Sequence, residues 1–153
     1  MRLGTKYDGE THINIYSQGQ TQLGQFLSNF EYHPIETEDG RFDSIEGYWY
    51  WLGCTHENKD LLKRTSGYQA KKLGRELGSV EWLPEGIFRE KIKKAISTKL
   101  DTMDDYLRDE FIESTLPFTH YYVYGNKNIK VPQADWIVEF ISSKREELRE
   151  QVR

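Results

Sequence analysis

The sequence predicts an α+β fold: a helix-rich single domain, residues 1–153, with a small antiparallel sheet. Three observations predict it. Apolar residues recur at helical spacing after Pro84 and again after Pro132. Short runs of β-forming residues flank turn signals at Asp39-Gly40 and Gly125-Asn126. A chain of 153 residues is long enough to bury one core without disulfide or metal staples.

The elements follow in order. His12 to Ser17 alternates Ile13 and Ile15 with Asn14 and Tyr16 and reads as a strand. The next stretch, GQTQLGQF, is broken by glycine, and apolar character returns with Phe26, Leu27 and Phe30. Asp39-Gly40 marks a turn, so residues 31–43 read as a short hairpin or loop pair. Asp43 or Ser44 serves as the N-cap of a helix beginning near Ile45. Its Ile45, Tyr48, Trp49, Trp51 and Leu52 cover more than one face, which puts the helix at the centre of the fold.

Glu57 to Ser66 and Tyr68 to Leu77 read as two short helices, separated by Gly67 and stopped by Gly78. From Glu85 a helical pattern runs through Ile92, Ile96, Leu100, Met103 and Phe111 to about residue 114, and Pro117 closes it. His120 to Tyr124 and Ile129 to Val131 read as strands joined by turn residues. Pro132 opens a last helix whose buried face is Trp136, Ile137, Phe140 and Ile141.

Composition narrows the function. Aromatic residues make up 14%, with four Trp, ten Tyr and seven Phe, and rings with polar tips suit a heterocycle or a sugar. The net charge of −4 and interspersed signs argue against an extended DNA-binding surface, but leave a nucleotide or a modified nucleic-acid base open as partner. Cys54 is the single cysteine, which excludes an internal disulfide and points to a reducing, cytoplasmic setting. No apolar run is long enough for a leader or a span, so no membrane partner is expected. The histidines at 12, 33, 56 and 120 have no metal-ligand spacing, and no phosphate loop or dinucleotide fingerprint occurs; no metal and no cofactor are expected.

Three segments carry candidate chemistry. Glu46 sits in the first turn of a helix among Ile45, Tyr48, Trp49 and Trp51. Buried among these groups its pKa rises, which suits a general acid or base; left at the surface it serves the helix dipole or a cap. In Ser28-Asn29-Phe30, Asn29 can donate and accept toward a ribose or base edge and Phe30 offers a stacking face; the other reading is a turn with Phe30 in the core. Lys71, Lys72 and Arg75 on the next helix either meet phosphates or form a solvated face, and Gly74 between them signals a close approach.

Taken together, FLSNF, PIETEDGRFDSIEGYWY and AKKLGRELG resemble the pattern of the NADAR family (NAD- and ADP-ribose-associated, YbiA-like). The matches are Phe26, Ser28, Asn29, Phe30, Pro34, Ile35, Gly40, Ser44, Glu46 and Tyr48, then Ala70, Lys72 (offset by one), Leu73, Gly74 and Arg75. The resemblance covers the first half of the chain and looks like a divergent branch of the kind found in bacteriophage genomes. It implies hydrolysis of N-glycosidic bonds at a ribose carbon, on ribosylated bases such as ADP-ribosyl-guanine. Glu46 would be the catalytic carboxylate. Ser28, Asn29, Phe30, Tyr48 and Trp49 would line the substrate pocket, and Lys71, Lys72, Gly74 and Arg75 would hold phosphate or shape it. Where the family pattern has His after the glutamate this chain has Gly47, and where it has a nucleophilic Lys seven residues on, Gly53. The sequence therefore carries two further expectations: a catalytically silent ADP-ribose or nucleotide-binding module, and an accessory protein whose aromatic stripe meets a partner.

Overall fold

Thr21, Ser44 and Asp104 each start a helix in the same way, by accepting a hydrogen bond from the backbone N–H three residues on, at 2.9, 3.0 and 2.9 Å. The computed structural model describes residues 4–78 and 81–152. In chain order the elements are β1 (Ile13–Asn14), α1 (Gln22–Leu27), β2 (Ile35–Thr37), β3 (Gly40–Phe42), α2 (Ile45–Trp51), α3 (Gly67–Leu77), α4 (Glu85–Asp101), α5 (Asp105–Glu113), β4 (Phe118–Thr119), β5 (Tyr121–Tyr124), β6 (Lys127–Lys130) and α6 (Asp135–Gln151). Three 3-10 turns lie at Thr5–Tyr7, Lys59–Arg64 and Pro132–Ala134.

The helix-rich α+β class is the one expected. Its strands, however, form three separate pairs among the described residues: β2–β3 and β5–β6 are antiparallel, and β1–β4 is parallel. The chain divides into two compact units, Met1–Ser28 with Met103–Arg153, and Asn29–Thr102.

In the first unit the strand expected over 12–17 shrinks to Ile13–Asn14. Past it the Ile15 N–H still donates to the Thr119 carbonyl at 2.8 Å, and the Asn14 side chain donates to the Tyr121 carbonyl and accepts from the Tyr121 N–H, both at 3.0 Å. The glycine-broken stretch that follows is α1, started by its Thr21 cap. On α6, Ile137 and Ile141 are buried as expected, and Arg145 joins them with its guanidinium 4.1 Å from the Phe118 ring centre. Arg145 donates to the Leu116 carbonyl, and Arg149 to the Ile112 and Ser114 carbonyls, covering the end of α5 where acceptors lack helical partners.

In the second unit α2 is central. Ser44 caps it, and Ile45 and Tyr48 are fully buried. The Asp39-Gly40 turn joins β2 to β3 in register Thr37↔Gly40. The segment expected as a helix over 57–66 winds instead as a 3-10 turn, Lys59–Arg64, and α3 spans Gly67–Leu77. The single long helix expected from Glu85 to about 114 is two. Thr102 bonds back to the Thr98 and Lys99 carbonyls, α4 ends, and Asp104 caps a new start. Asp104 wins because a cap satisfies a backbone donor that a continuing helix would leave it competing for.

Candidate functional site

A seven-residue helix puts residues 46, 49, 50 and 53 along one side, since each step turns about 100°. On α2 and the residue beyond it these are Glu46, Trp49, Tyr50 and Gly53. Position 48 falls on the opposite side. The structure separates the two accordingly.

Glu46 is held at its backbone by the Asn29 carbonyl, which accepts its N–H at 2.9 Å. The Phe30 carbonyl accepts the Gly67 N–H at 2.8 Å. Asn29 and Phe30 thus tie the N-terminal ends of α2 and α3 together, which gives both residues a structural role whatever their side chains bind. Although the residue keeps some exposure, burial pushes the Glu46 carboxyl up to about 7, and the positive charges of Lys71 and Arg75 partly oppose that rise. Tyr50 completes the group. Burial and the Glu46 charge raise its pKa, while Arg75, charged and hydrogen-bonded to it, works the other way.

Gly74 makes this arrangement possible. A Cβ there would overlap Cγ and Cδ1 of Tyr50, so only glycine lets the tyrosine side chain come this close to α3. Lys71 and Arg75 flank that contact at one helical turn's spacing. Lys72 is exposed on α3, and the charges acting on Glu46 are those of its neighbours at 71 and 75. Trp49 meets Phe88 of α4 edge-on at 4.8 Å, and Phe88 in turn meets Trp82 at 5.7 Å.

The two glycines at which the chain departs from the family pattern have physical causes. At Gly47 a Cβ would collide with the Leu62 carbonyl oxygen, so the 3-10 turn packs directly on the helix backbone. At Gly53 a Cβ would lie 2.6 Å from two atoms of the Trp82 ring, which fills the place a side chain would take. A lysine at 53 has no room while Trp82 stays there.

Tyr48 belongs elsewhere. Its hydroxyl donates to Asp39 Oδ2 at 2.6 Å, and Lys91 donates to the same oxygen at 3.0 Å and to Glu38 at 2.9 Å. Burial works to raise the Asp39 carboxyl, but the hydrogen bonds from Tyr48 and Lys91 outweigh it and hold its pKa below the ordinary range. Tyr48 therefore anchors the β2–β3 turn rather than lining the Glu46 side, a correction to its placement in the pocket. Ser28 is buried at the end of α1 and belongs to the first unit, not to the one containing Glu46.

Tyr50 was missed by the sequence reading, though its spacing of four from Glu46 on one helix was the available signal. Lys99 was missed as well. It is 2% exposed on α4, and burial pushes its amine down to about 7 against the opposing pull of Glu31. Its spacing was the available signal: position 99 lies three, four and seven residues after Ile96, Ala95 and Ile92, on the buried face of α4.

Other polar clusters are structural. His12 is buried with Nε2 2.6 Å from the Tyr121 hydroxyl and Nδ1 2.8 Å from Thr11 Oγ1, and His120 Nδ1 lies 2.5 Å from the Ile15 carbonyl. The first unit also holds a cavity of about 490 Å³ lined in part by Tyr106, Asp109, Glu110 and Glu113; none of the predicted site residues reaches it, and its acidic wall does not suit a sugar phosphate. Among the described residues no group of three or more His, Cys, Asp or Glu is placed to hold a metal ion, and no helix is long and apolar enough to cross a membrane.

No protein-family model matches the chain, and no curated protein matches it. Among solved structures, the NMR structure of the E. coli protein YbiA matches with a TM-score of 0.66 at 18% identity, covering 97% of this chain and 95% of that one. At so low an identity the likeness speaks for architecture alone, and it does so over nearly the whole length of both chains: this chain has a YbiA-like fold.

Proposed function

We propose that this chain is a divergent NADAR-type hydrolase that cleaves the N-glycosidic bond between a ribosyl carbon and a base, on substrates such as ADP-ribosyl-guanine in nucleotides or nucleic acid. The observation that carries this reading is Glu46, whose carboxyl is raised to about 7 beside Lys71, Arg75 and Tyr50. Near neutral pH such a group exists in both protonation states. As the acid it gives a proton to the departing base nitrogen; as the carboxylate it steadies the positive charge that develops at the ribosyl carbon. Water then adds to that carbon, and the proton it sheds returns to the Glu46 carboxylate, restoring the acid. Lys71 and Arg75 provide positive charge for substrate phosphates, and Trp49 provides an aromatic wall. With Trp82 over Gly53, the attack comes from water rather than from a lysine at that position.

The Gly53–Trp82 contact also favours a second reading, a binding module that holds ADP-ribose or a nucleotide without turnover. One experiment separates the two. Purified protein is incubated with DNA bearing ADP-ribosylated guanosine and free ADP-ribose is measured. The hydrolase reading expects release that stops in Glu46→Gln at an unchanged melting temperature. A rise in melting temperature with ADP-ribose and no release selects the binding module, and neither response contradicts both.

A further inference from the structure

The β5–β6 hairpin carries a feature that the Glu46 chemistry does not use. Its register pairs Tyr122 with Ile129 and Tyr124 with Lys127, and residues directly opposite share a face. That face is a ladder of rings: His120 and Tyr122 at 5.2 Å, Tyr16 and Tyr122 at 5.8 Å, and Tyr122 and Tyr124 at 6.5 Å. Tyr124 is 63% exposed and Ile129 43%, and every residue of β6 is exposed. The opposite side roots the hairpin: Tyr121 is buried, bonded through its hydroxyl to His12 and through its backbone to Asn14. Tyr124 is therefore presented on a fixed support, with the half-buried Tyr122, His120 and Tyr16 packed edge-on behind it. Lys127, opposite Tyr124, is the cation on this face, while Lys130 pairs with Tyr121 on the other; residues 120–131 contain no acidic residue, in a chain whose net charge is −4.

We propose that this tyrosine face docks a short single strand of nucleic acid, independently of what Glu46 does. Unpaired bases stack on aromatic side chains without regard to sequence, and Lys127, opposite Tyr124, meets a backbone phosphate. A duplex hides its base faces from the rings. A second copy of the hairpin is disfavoured as occupant, because the lysines on β6 would face each other across a shared edge. An acidic peptide matches the charge but offers nothing flat to the rings.

The test is fluorescence anisotropy of the full chain with a labelled oligothymidylate of about ten nucleotides, a typical length for one stacking platform. Binding is expected, weaker by about fivefold or more in Tyr124→Ala, retained in Tyr124→Phe and weakened in Lys127→Glu. The salt dependence should be shallow, with a log–log slope of about −0.7 for one phosphate. Four results each overturn the proposal: no binding at low salt, equal binding by Tyr124→Ala and Lys127→Glu, displacement of the oligonucleotide by polyglutamate as readily as by unlabelled strand, or self-association of the chain that the same substitutions abolish.

Discussion

On one side of α2, Tyr48 donates to Asp39 and Trp51 donates to Asp60, while Lys59 lies 4.1 Å over the Trp51 ring. On the other, Glu46 stands beside Tyr50 with its carboxyl raised to about 7, and the nearby cations belong to the neighbouring helix. Both sides are aromatic and both hold an ionisable group. They differ in how the polar atoms are matched. Asp39 receives two donors and is held in its charged form; Glu46 is desolvated more than it is compensated. A carboxylate that is fully matched stabilises a fold, and one that is not can change its protonation during a reaction. The two sides of one helix thus divide support from chemistry.

The sharpest way to break that division is Glu46→Gln. Under the proposed function it lowers the rate of base release by about 10² to 10⁴, the usual worth of a positioned acid or base, while the melting temperature holds or rises. Next comes Gly74→Ala. Its added Cβ falls on the Tyr50 ring, and overpacking of this kind costs about 1–3 kcal/mol, read as a lower midpoint in denaturant unfolding. Because Tyr50 moves, substrate cleavage should fall as well.

A pH series adds a signed test. The Glu46 pKa is raised in the fold from an ordinary 4.5 to about 7, so the folded state holds the extra proton between those values. Its contribution is fully present below 4.5 and is lost as pH rises through 7, about 1–3 kcal/mol after allowance for solvent screening. Lys99 has the opposite sign. Its pKa is depressed from 10.5 to about 7, so its contribution is present above 10.5 and is lost as pH falls through 7. Chemical denaturation from pH 4 to 11 should find parent stability dipping near neutrality; Glu46→Gln should remove the acid limb and Lys99→Met the alkaline one. The smallest effect belongs to Tyr48→Phe, which removes one hydrogen bond to Asp39. It should cost about 1 kcal/mol in unfolding and leave turnover per folded molecule unchanged.

What was legible in the sequence was local. Ser44 as cap, the Asp39-Gly40 turn and the α3 stop at Gly78 each depend on a few adjacent residues, and each is where it was expected. Glu46, Lys71 and Arg75 were legible as residue types on two successive helices. Which residues shared a side was less so: Tyr48 lies two positions from Glu46 and points away, whereas Tyr50, four positions on, stands beside it. The split between α4 and α5 was hidden because Leu100, Met103 and Leu107 keep helical spacing straight across Asp104. Contacts between distant residues left no local trace. The parallel pairing of Ile13 with Phe118 and the seating of Trp82 over Gly53 depend on chain brought together from far apart.

The pKa of the Glu46 carboxyl most directly separates a reactive side of α2 from a supporting one. A carbon-detected NMR titration of glutamate side chains, with the signal assigned by its loss in Glu46→Gln, measures it in the intact chain. A midpoint near 7, rising when Lys71 or Arg75 is replaced by a neutral residue, is the result predicted here. A midpoint at the ordinary 4.5, unmoved by either substitution, would contradict the division of α2 into a supporting side and a reactive one.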